Sequence, residues 1–347
     1  MHSREGNGRS GSYGSNGISM IQIEDIKQQI GDAFNRYEKA FAQVMQSDNP
    51  LLHQVLDYVH SKKGKQLRPL LVLLSAEVCR GVTEKTIQTA VAFELLHTAT
   101  LIHDDVVDSS SMRRGTPSVQ AKWTNKIAVL VGDYMLSRVI DIIANLRNTP
   151  ILNILSRLSD SLSQGELMQL HHGDSMWIDE KQYFHIIDNK TAQLFASCTE
   201  AGAESCASTM RQITALREFG RHLGICFQLK DDIFDYSDAE ELGKPTMSDI
   251  RDGKATLPLI ISLKRAPKDE SALIRQTAES MVANTADLED AEQEIKSFVL
   301  RYEGIRYAIA RMNEHKNSAI EALRIFPDNP AKKNLIALLE YAVNRTH

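Results

Sequence analysis

Cysteine is scarce and scattered in this chain. Its four cysteines (Cys79, Cys198, Cys206 and Cys226) have neither zinc-site spacing nor the density of a secreted disulfide scaffold. That excludes both classes and leaves reduced thiols in a cytoplasmic protein as the expectation. Proline and glycine are thin as well, at 9 and 18, and five of those glycines fall within the first 20 residues. No alternating apolar run reads as a strand and no Gly-rich nucleotide loop is present, so the nucleotide-binding α/β folds drop out. No apolar run approaches the length of a membrane span. A formal charge of -5 gives no basic face on which to expect nucleic acid.

What remains is a helix former's composition, rich in Leu, Ile, Ala, Glu, Lys and Gln. Residues 1–19, dominated by Gly, Ser and Asn, read as a disordered leader or expression remnant. Apolar residues then recur at threes and fours through Leu51–Val59, Pro69–Val78, Ile87–Asp108, Ile127–Leu146, Ile151–Leu170, Lys181–Cys198 and Met210–Phe234. Short polar stretches such as 109–118 separate them. With no linker and no internal repeat, residues 20–347 are expected to form one all-α domain.

Two acidic signatures stand out: Asp104-Asp105-Val106-Val107-Asp108 and Asp231-Asp232-Ile233-Phe234-Asp235. Residues four apart share a helix face, so Asp104 projects with Asp108 and Asp231 with Asp235. Moving down the first helix from Asp108 passes Thr100 and then His97, roughly 10.5 Å below Asp104 on the same face. The second helix carries Gly224, Gln228, Asp231/Asp232 and Asp235 along one stripe. Lone aspartate pairs are mostly solvated helix ends. Two pairs continuous with strongly apolar helices are another matter, because buried unpaired charge is expensive. Six carboxylates facing one cavity need cations between them. Ligands that are all oxygen, with no His or Cys, suit a hard ion such as Mg²⁺ shared with substrate phosphates. Basic residues flank both motifs: Lys65 and Arg68 at a helix start, Arg113-Arg114, Lys190 with Thr191, Lys244 and Lys254. Singly each reads as a surface cation; as a set they fit a diphosphate.

The segments GKQLRP (64–69), LLHTATLIHDDVVDSSSMRRGTPS (95–118), GDYMLSR (132–138), QGEL (164–167), Lys190-Thr191-Ala192, FQLKDDIFDY (227–236), LGKPTMSDI (242–250) and DGKATLP (252–258) carry a resemblance. The chain resembles the trans-isoprenyl diphosphate synthases, the head-to-tail polyprenyl synthase family, over essentially all of residues 21–347. The resemblance implies an antiparallel helix bundle around a deep central cavity, and usually a homodimer. It implies three Mg²⁺ ions held by Asp104, Asp108 and Asp231, with Asp105, Asp232 and Asp235 behind them or bridged by water. Arg113, Lys190, Lys244 and Lys254 would grip an allylic diphosphate. Lys65, Arg68, His97 and Arg114 would bind isopentenyl diphosphate, and Thr191 and Gln228 would line the reacting centre.

The implied reaction ionises the allylic C–O bond, adds the double bond of isopentenyl diphosphate to the cation, and loses a proton to the departing diphosphate. His103, His171 and His172 need no part in it; His103 is expected to pack beside the carboxylates. Ser109, Ser110 and Ser111 stand where many relatives carry further acids, Gln66 where a basic residue is frequent, and Lys230 where an apolar one is. Leu96, Ala99 and Thr100 lie one to two turns below the first motif at 5.4 Å per turn. None is aromatic, so a product tunnel is expected to continue towards Tyr134, Met135 and Val139. A medium- or long-chain product follows, with octaprenyl diphosphate the central expectation. The rivals are a short-chain farnesyl or geranylgeranyl synthase, a class I terpene cyclase, for which Asp231, Asp235 and Ala239 supply the wrong triad, and a non-catalytic subunit of a heteromeric synthase.

Overall fold

The computed structural model describes residues 22–172, 176–237, 246–285 and 287–345, the side chains of 169–172 excepted. The leader at 1–19, Lys244 and the side chains of His171 and His172 lie outside the described residues. Helix α1 (Ile23–Gln29) and α2 (Gly31–Val44) lead into α3 (Pro50–Ser61), α4 (Leu67–Cys79) and α5 (Glu84–Val107). After a small hairpin come α6 (Val119–Lys122), α7 (Asn125–Leu146), α8 (Thr149–His172), α9 (Glu180–Ile187), α10 (Gln193–Ser205) and α11 (Met210–Phe234). The C-terminal part continues through α12 (Ser248–Arg251), α13 (Leu257–Arg265), α14 (Lys268–Val282), α15 (Leu288–Arg301), α16 (Gly304–Ala322) and α17 (Pro330–Asn344).

Local chemistry sets most of these starts. Asn49 accepts from the backbone N–H groups of Leu51 and Leu52 ahead of Pro50, the ring that suits a first helical position. Thr83, Thr124 and Thr209 cap α5, α7 and α11 in the same way. The long α5 and α11 therefore begin at fixed points, and their acidic motifs fall at their C-terminal ends.

Helix α4 is apolar on nearly every side, with Leu70 to Leu74 fully buried, and it forms the centre of the bundle together with α10. Helix α10 packs on α4, α5 and α11, α5 packs on α7, and α11 packs on α16. The α10–α11 contact is close because Gly220 has no side chain: a Cβ there would stand 2.6 Å from the Phe195 carbonyl oxygen and 2.9 Å from Ala196 Cα.

Two features depart from the sequence reading. Met112–Arg113 (β1) pairs antiparallel with Thr116–Pro117 (β2) inside the stretch expected to be loop. Two residues per strand are too few to print an alternating pattern. The run expected as one helix over Lys181–Cys198 is interrupted by a π-helical turn at Asp188–Ala192. Lys190 and Thr191 thus sit inside a widened turn and do not open a new helix.

Placing a methyl at Gly220 forces backbone against backbone. Gly220→Ala is expected to lower unfolding free energy by about 1–3 kcal/mol in urea titration, and an unchanged midpoint would contradict this packing.

Candidate active site

The end of α5 is organised by one ion pair. Asp105 is buried, and its Oδ1 accepts from Arg113 Nε at 2.8 Å and Nη2 at 2.5 Å. The hairpin brings Arg113 back over the helix end, turning through left-handed Arg114 (φ 51°) and Gly115 (φ 73°). Ser109 is left-handed too, the Ser110 carbonyl accepts from Ser118 Oγ and Gln120 Nε2, and Ser111 O accepts from Ser118 N. The three serines thus build the turn that returns Arg113. Next to this pair, burial, then Glu166, then Asp108 push the Asp104 carboxyl up to about 6, against the pull of Lys190 and Arg113. His103 turns onto the neighbouring helix, with Nε2 3.2 Å from the Val129 carbonyl and 3.6 Å from Asp133.

At the end of α11 the three acids diverge, because adjacent helical residues point about 100° apart. Asp232 turns inward, accepting from Tyr183 Oη at 2.5 Å and Gln228 Nε2 at 2.8 Å; Gln228 Oε1 accepts from Thr191 Oγ1 at 3.0 Å. Burial and the nearby Asp249 hold Asp232 well above the ordinary carboxylate range. Asp235 accepts from the backbone N–H groups of Ser248 and Asp249 at the start of α12. Asp231 faces the end of α17, where Arg345 Nη2 meets it at 2.8 Å. The Arg345 guanidinium lies 3.9 Å from the centre of the Phe227 ring and donates to the Phe227 carbonyl. Lys230, unexplained by sequence, rests over Phe234 at 4.5 Å.

Beside the end of α11 runs a cleft lined by Tyr183, Lys190, Thr191, Gln228, Asp232, Asp249 and Lys254. Lys190 reaches across to Glu166 on α8 at 2.8 Å. The π-helical turn carrying it is pinned where Asp188 accepts from Arg221 Nε at 2.7 Å and from Gln193. Wide turns of this kind recur at functional sites, since they aim side chains that a regular helix would place elsewhere.

A second pocket lies along α5, lined by Lys62, Lys63, Gly64, Gln66, Glu94, His97, Arg113 and Arg114 among others. Arg114 Nη1 donates to the Lys62 carbonyl at 2.7 Å. It lies so close over Gly64 that a Cβ there would be 2.5 Å from its Nη2. Arg68 is buried near this pocket, its guanidinium 5.2 Å from the centre of the Phe195 ring. Burial and then Arg68, Arg114 and Arg113 drive the His97 pKa well below its usual value, so the imidazole is neutral. Lys65 points instead towards Tyr341, 5.1 Å from its ring centre.

Among the residues expected to set product length, Leu96, Ala99 and Met135 are buried in the apolar core, while Thr100 and Tyr134 are half-buried. Thr100 Oγ1 donates to its own helix at the His97 carbonyl. Neither cleft described above is lined by these five. Sequence reasoning passed over Glu94, Glu166, Tyr183, Asp249 and Arg345. Glu94 was within reach, three residues before His97 on the same helical stripe. The others come from distant helices, and nothing in the local pattern announces them.

The polyprenyl synthetase family model matches residues 49–295. Octaprenyl diphosphate synthase of Haemophilus influenzae is 33% identical over 329 residues, covering 94% of this chain and 98% of that protein. Geranylgeranyl diphosphate synthase of Saccharolobus solfataricus is 30% identical, covering 94% and 99%. Among solved structures, a polyprenyl synthase from Caulobacter crescentus CB15, complexed with calcium and isoprenyl diphosphate, superposes with a TM-score of 0.86 at 30% identity, covering 95% and 99% of the two chains.

The raised Asp232 carboxyl makes a prediction about pH. The folded protein binds this proton more tightly than the unfolded chain, so stability falls as pH climbs above the ordinary carboxylate value. In chelator, Asp232→Asn is expected to melt at progressively higher temperature relative to the parent as pH rises from acid to neutral. Parallel melting curves across that range would refute the buried-carboxyl assignment.

Proposed function

This chain belongs to the polyprenyl synthetase family of prenyltransferase enzymes, and on that premise we propose that it condenses isopentenyl diphosphate head to tail with an allylic diphosphate such as farnesyl diphosphate. The observation that carries the reading is a pair of polar clefts: one at the end of α11, where Asp232 and Asp249 stand with Lys190 and Lys254, and one along α5, where Lys62, Lys63, Arg113 and Arg114 outnumber Glu94 and Asp105. One suits an anion bound with divalent cations, the other an anion held by the protein's own cations.

The donor set fits Mg²⁺, three ions being the number expected with substrate bound. Among the described residues no three acidic, thiol or imidazole groups form a closed metal cage. That suits an ion that takes one or two carboxylates and completes its shell with substrate phosphates and water. Asp104 and Asp108 crowd each other, and Asp232 crowds Asp249. Asp105 is committed to Arg113 and Asp235 to backbone N–H groups, so both hold their helix ends in place. Asp231 joins the set by exchanging its Arg345 partner.

When bound, divalent cations supply Lewis-acid stabilisation of the leaving diphosphate. Lys190 and Lys254 add fixed positive charge to the same group; Arg113, in the wall of the other pocket, and Lys244 belong to this set on the resemblance alone. As the allylic C–O bond breaks, Thr191 Oγ1 and Gln228 Oε1, aligned in one hydrogen-bond chain, face the carbocation with oxygen dipoles. Neutral His97 with Arg68 and Arg114 holds isopentenyl diphosphate so that its double bond attacks, Lys65 joining them on the resemblance alone. A proton then passes to the departed diphosphate, leaving a trans double bond and a chain five carbons longer.

The absence of an aromatic residue at Leu96, Ala99 and Thr100 supports a medium- to long-chain product, octaprenyl diphosphate first. Both an octaprenyl and a geranylgeranyl synthase are relatives at similar identity, so product sizing decides. Homodimer formation belongs to the same reading, with Val129, Leu130 and Ile140 exposing apolar side chains along α7. No helix among the described residues is long and apolar enough to cross a membrane.

Purified chain incubated with farnesyl and isopentenyl diphosphates and Mg²⁺ is expected to yield octaprenyl diphosphate by chromatography, and chelator to abolish the product. No elongation under these conditions would favour the non-catalytic subunit, and arrest after one or two additions a short-chain enzyme. Ala99→Tyr is expected to shorten the product; an unchanged length would remove Ala99 from the tunnel. Asp104→Asn is expected to cut kcat by roughly a hundredfold or more, comparable to losing one electrostatic stabiliser of a transition state.

A further inference from the structure

Glu94 is the one acid among the residues around the cationic pocket that nothing above uses. It lies on α5 one turn before His97 and contributes to the pocket wall beside Gly64, Arg113 and Arg114. Its Oε2 is shut off from solvent and has no hydrogen-bond partner, and the Nε of Arg68 and the Oη of Tyr37 are orphaned in the same way. A buried carboxylate oxygen left without a donor is costly, and it persists where a neighbouring charge or a ligand compensates.

The charges around Glu94 are mixed. Lys27 of α1, Tyr37 and Glu38 of α2, Arg68 of α4, His97 of its own helix, Arg114 of the hairpin and Cys198 of α10 all face this region. Glu38 is already engaged by Lys63 at 2.7 Å and Gln66 at 2.5 Å. His97 carries no charge. The acid that answers the guanidinium groups of Arg68 and Arg114 is therefore Glu94.

We propose that Glu94 is a working member of this pocket: as a carboxylate it balances Arg68 and Arg114 before a diphosphate enters, and it takes up a proton when the diphosphate takes over that role. This rests on the reading of the pocket as a diphosphate site. An ionised Glu94 beside a diphosphate places like charges together in a desolvated space. A proton drawn from the buffer converts Glu94 from carboxylate to neutral acid, removes the repulsion, and supplies an O–H donor where the ligand offers only acceptors. Burial already pushes the Glu94 carboxyl upward, against the pull of Arg68 and Arg114, so the proton is held readily once those two cations turn to the ligand. A neutral carboxylic acid acting as a donor in an oxyanion site is established chemistry elsewhere. Glu94 is thus a positioning residue that also tunes affinity to pH.

The test is calorimetry of inorganic pyrophosphate binding to the full chain in chelator, at mildly alkaline pH, in two buffers of different protonation enthalpy. The parent is expected to take up close to one proton more than Glu94→Gln, and Glu94→Asp to restore most of the difference. In steady-state assays the KM for isopentenyl diphosphate is expected to rise with pH less steeply in Glu94→Gln than in the parent, with kcat within about twofold. Equal proton uptake in parent and Glu94→Gln would overturn the proposal, leaving Glu94 a structural counter-charge. Absence of pyrophosphate binding by the parent would instead overturn the diphosphate reading of the pocket and this inference with it.

Discussion

Carboxylates cannot be crowded into a poorly solvated space without something to answer them, and this end of the bundle is an arrangement of answers. Arg113 meets Asp105, Arg345 meets Asp231, Lys190 meets Glu166, and the opening N–H groups of α12 meet Asp235. Asp232 has two neutral donors in place of a cation. Asp104 is left among Glu166, Asp108 and Lys190 with its carboxyl pushed up. Each answer comes from a different element, so the acidic motifs tie α12, α17 and the hairpin to α5 and α11, while Lys190 ties its π-helical turn to α8. The site is in this sense also a structural junction.

The same reasoning separates acids that are settled from acids that are not. A carboxylate gripped by two N–H groups of one arginine has little incentive to take a second partner. One surrounded by its own kind has every incentive. Six aspartates that look equivalent as two short motifs therefore divide into anchors, such as Asp105 and Asp235, and groups still seeking positive charge, such as Asp104 and Asp232. The division arises because α-helical residues one apart diverge, while the motif spacing aligns residues four apart.

Much of this was legible in the sequence. Periodic apolar residues placed α3, α4, α5, α7, α8 and α11 within a few positions, since capping threonines and the Asn49-Pro50 pair start helices by local chemistry alone. The stripe from Asp108 down to His97 lies on one helix, yet His97 lines the cationic pocket with Asp105 while Asp104 lies near Glu166 and Lys190. What stayed hidden depended on distant elements. The π-helical turn at Asp188–Ala192 is written in the approach of Arg221 and Gln193 to Asp188, and no window of local sequence contains that approach. The two-residue strands are too short to leave a period. Asp231 and Asp232 were read as one stripe, and only the placement of Arg345 and Tyr183 separates them. Lys230 had no account until Phe234 and Arg345 were seen beside it.

Arg345 does more than neutralise one acid. It is stacked on Phe227, bonded to the Phe227 carbonyl and paired with Asp231, so it stitches the end of α17 to the last turns of α11. All three contacts run through one side chain, so fraying of α17 at this end releases Asp231 as well. By reciprocity, any ligand that claims Asp231 loosens the end of α17 by as much as that end, when docked, resists the ligand. The C-terminal turn of the chain is in this way a reporter of what occupies the second acidic motif.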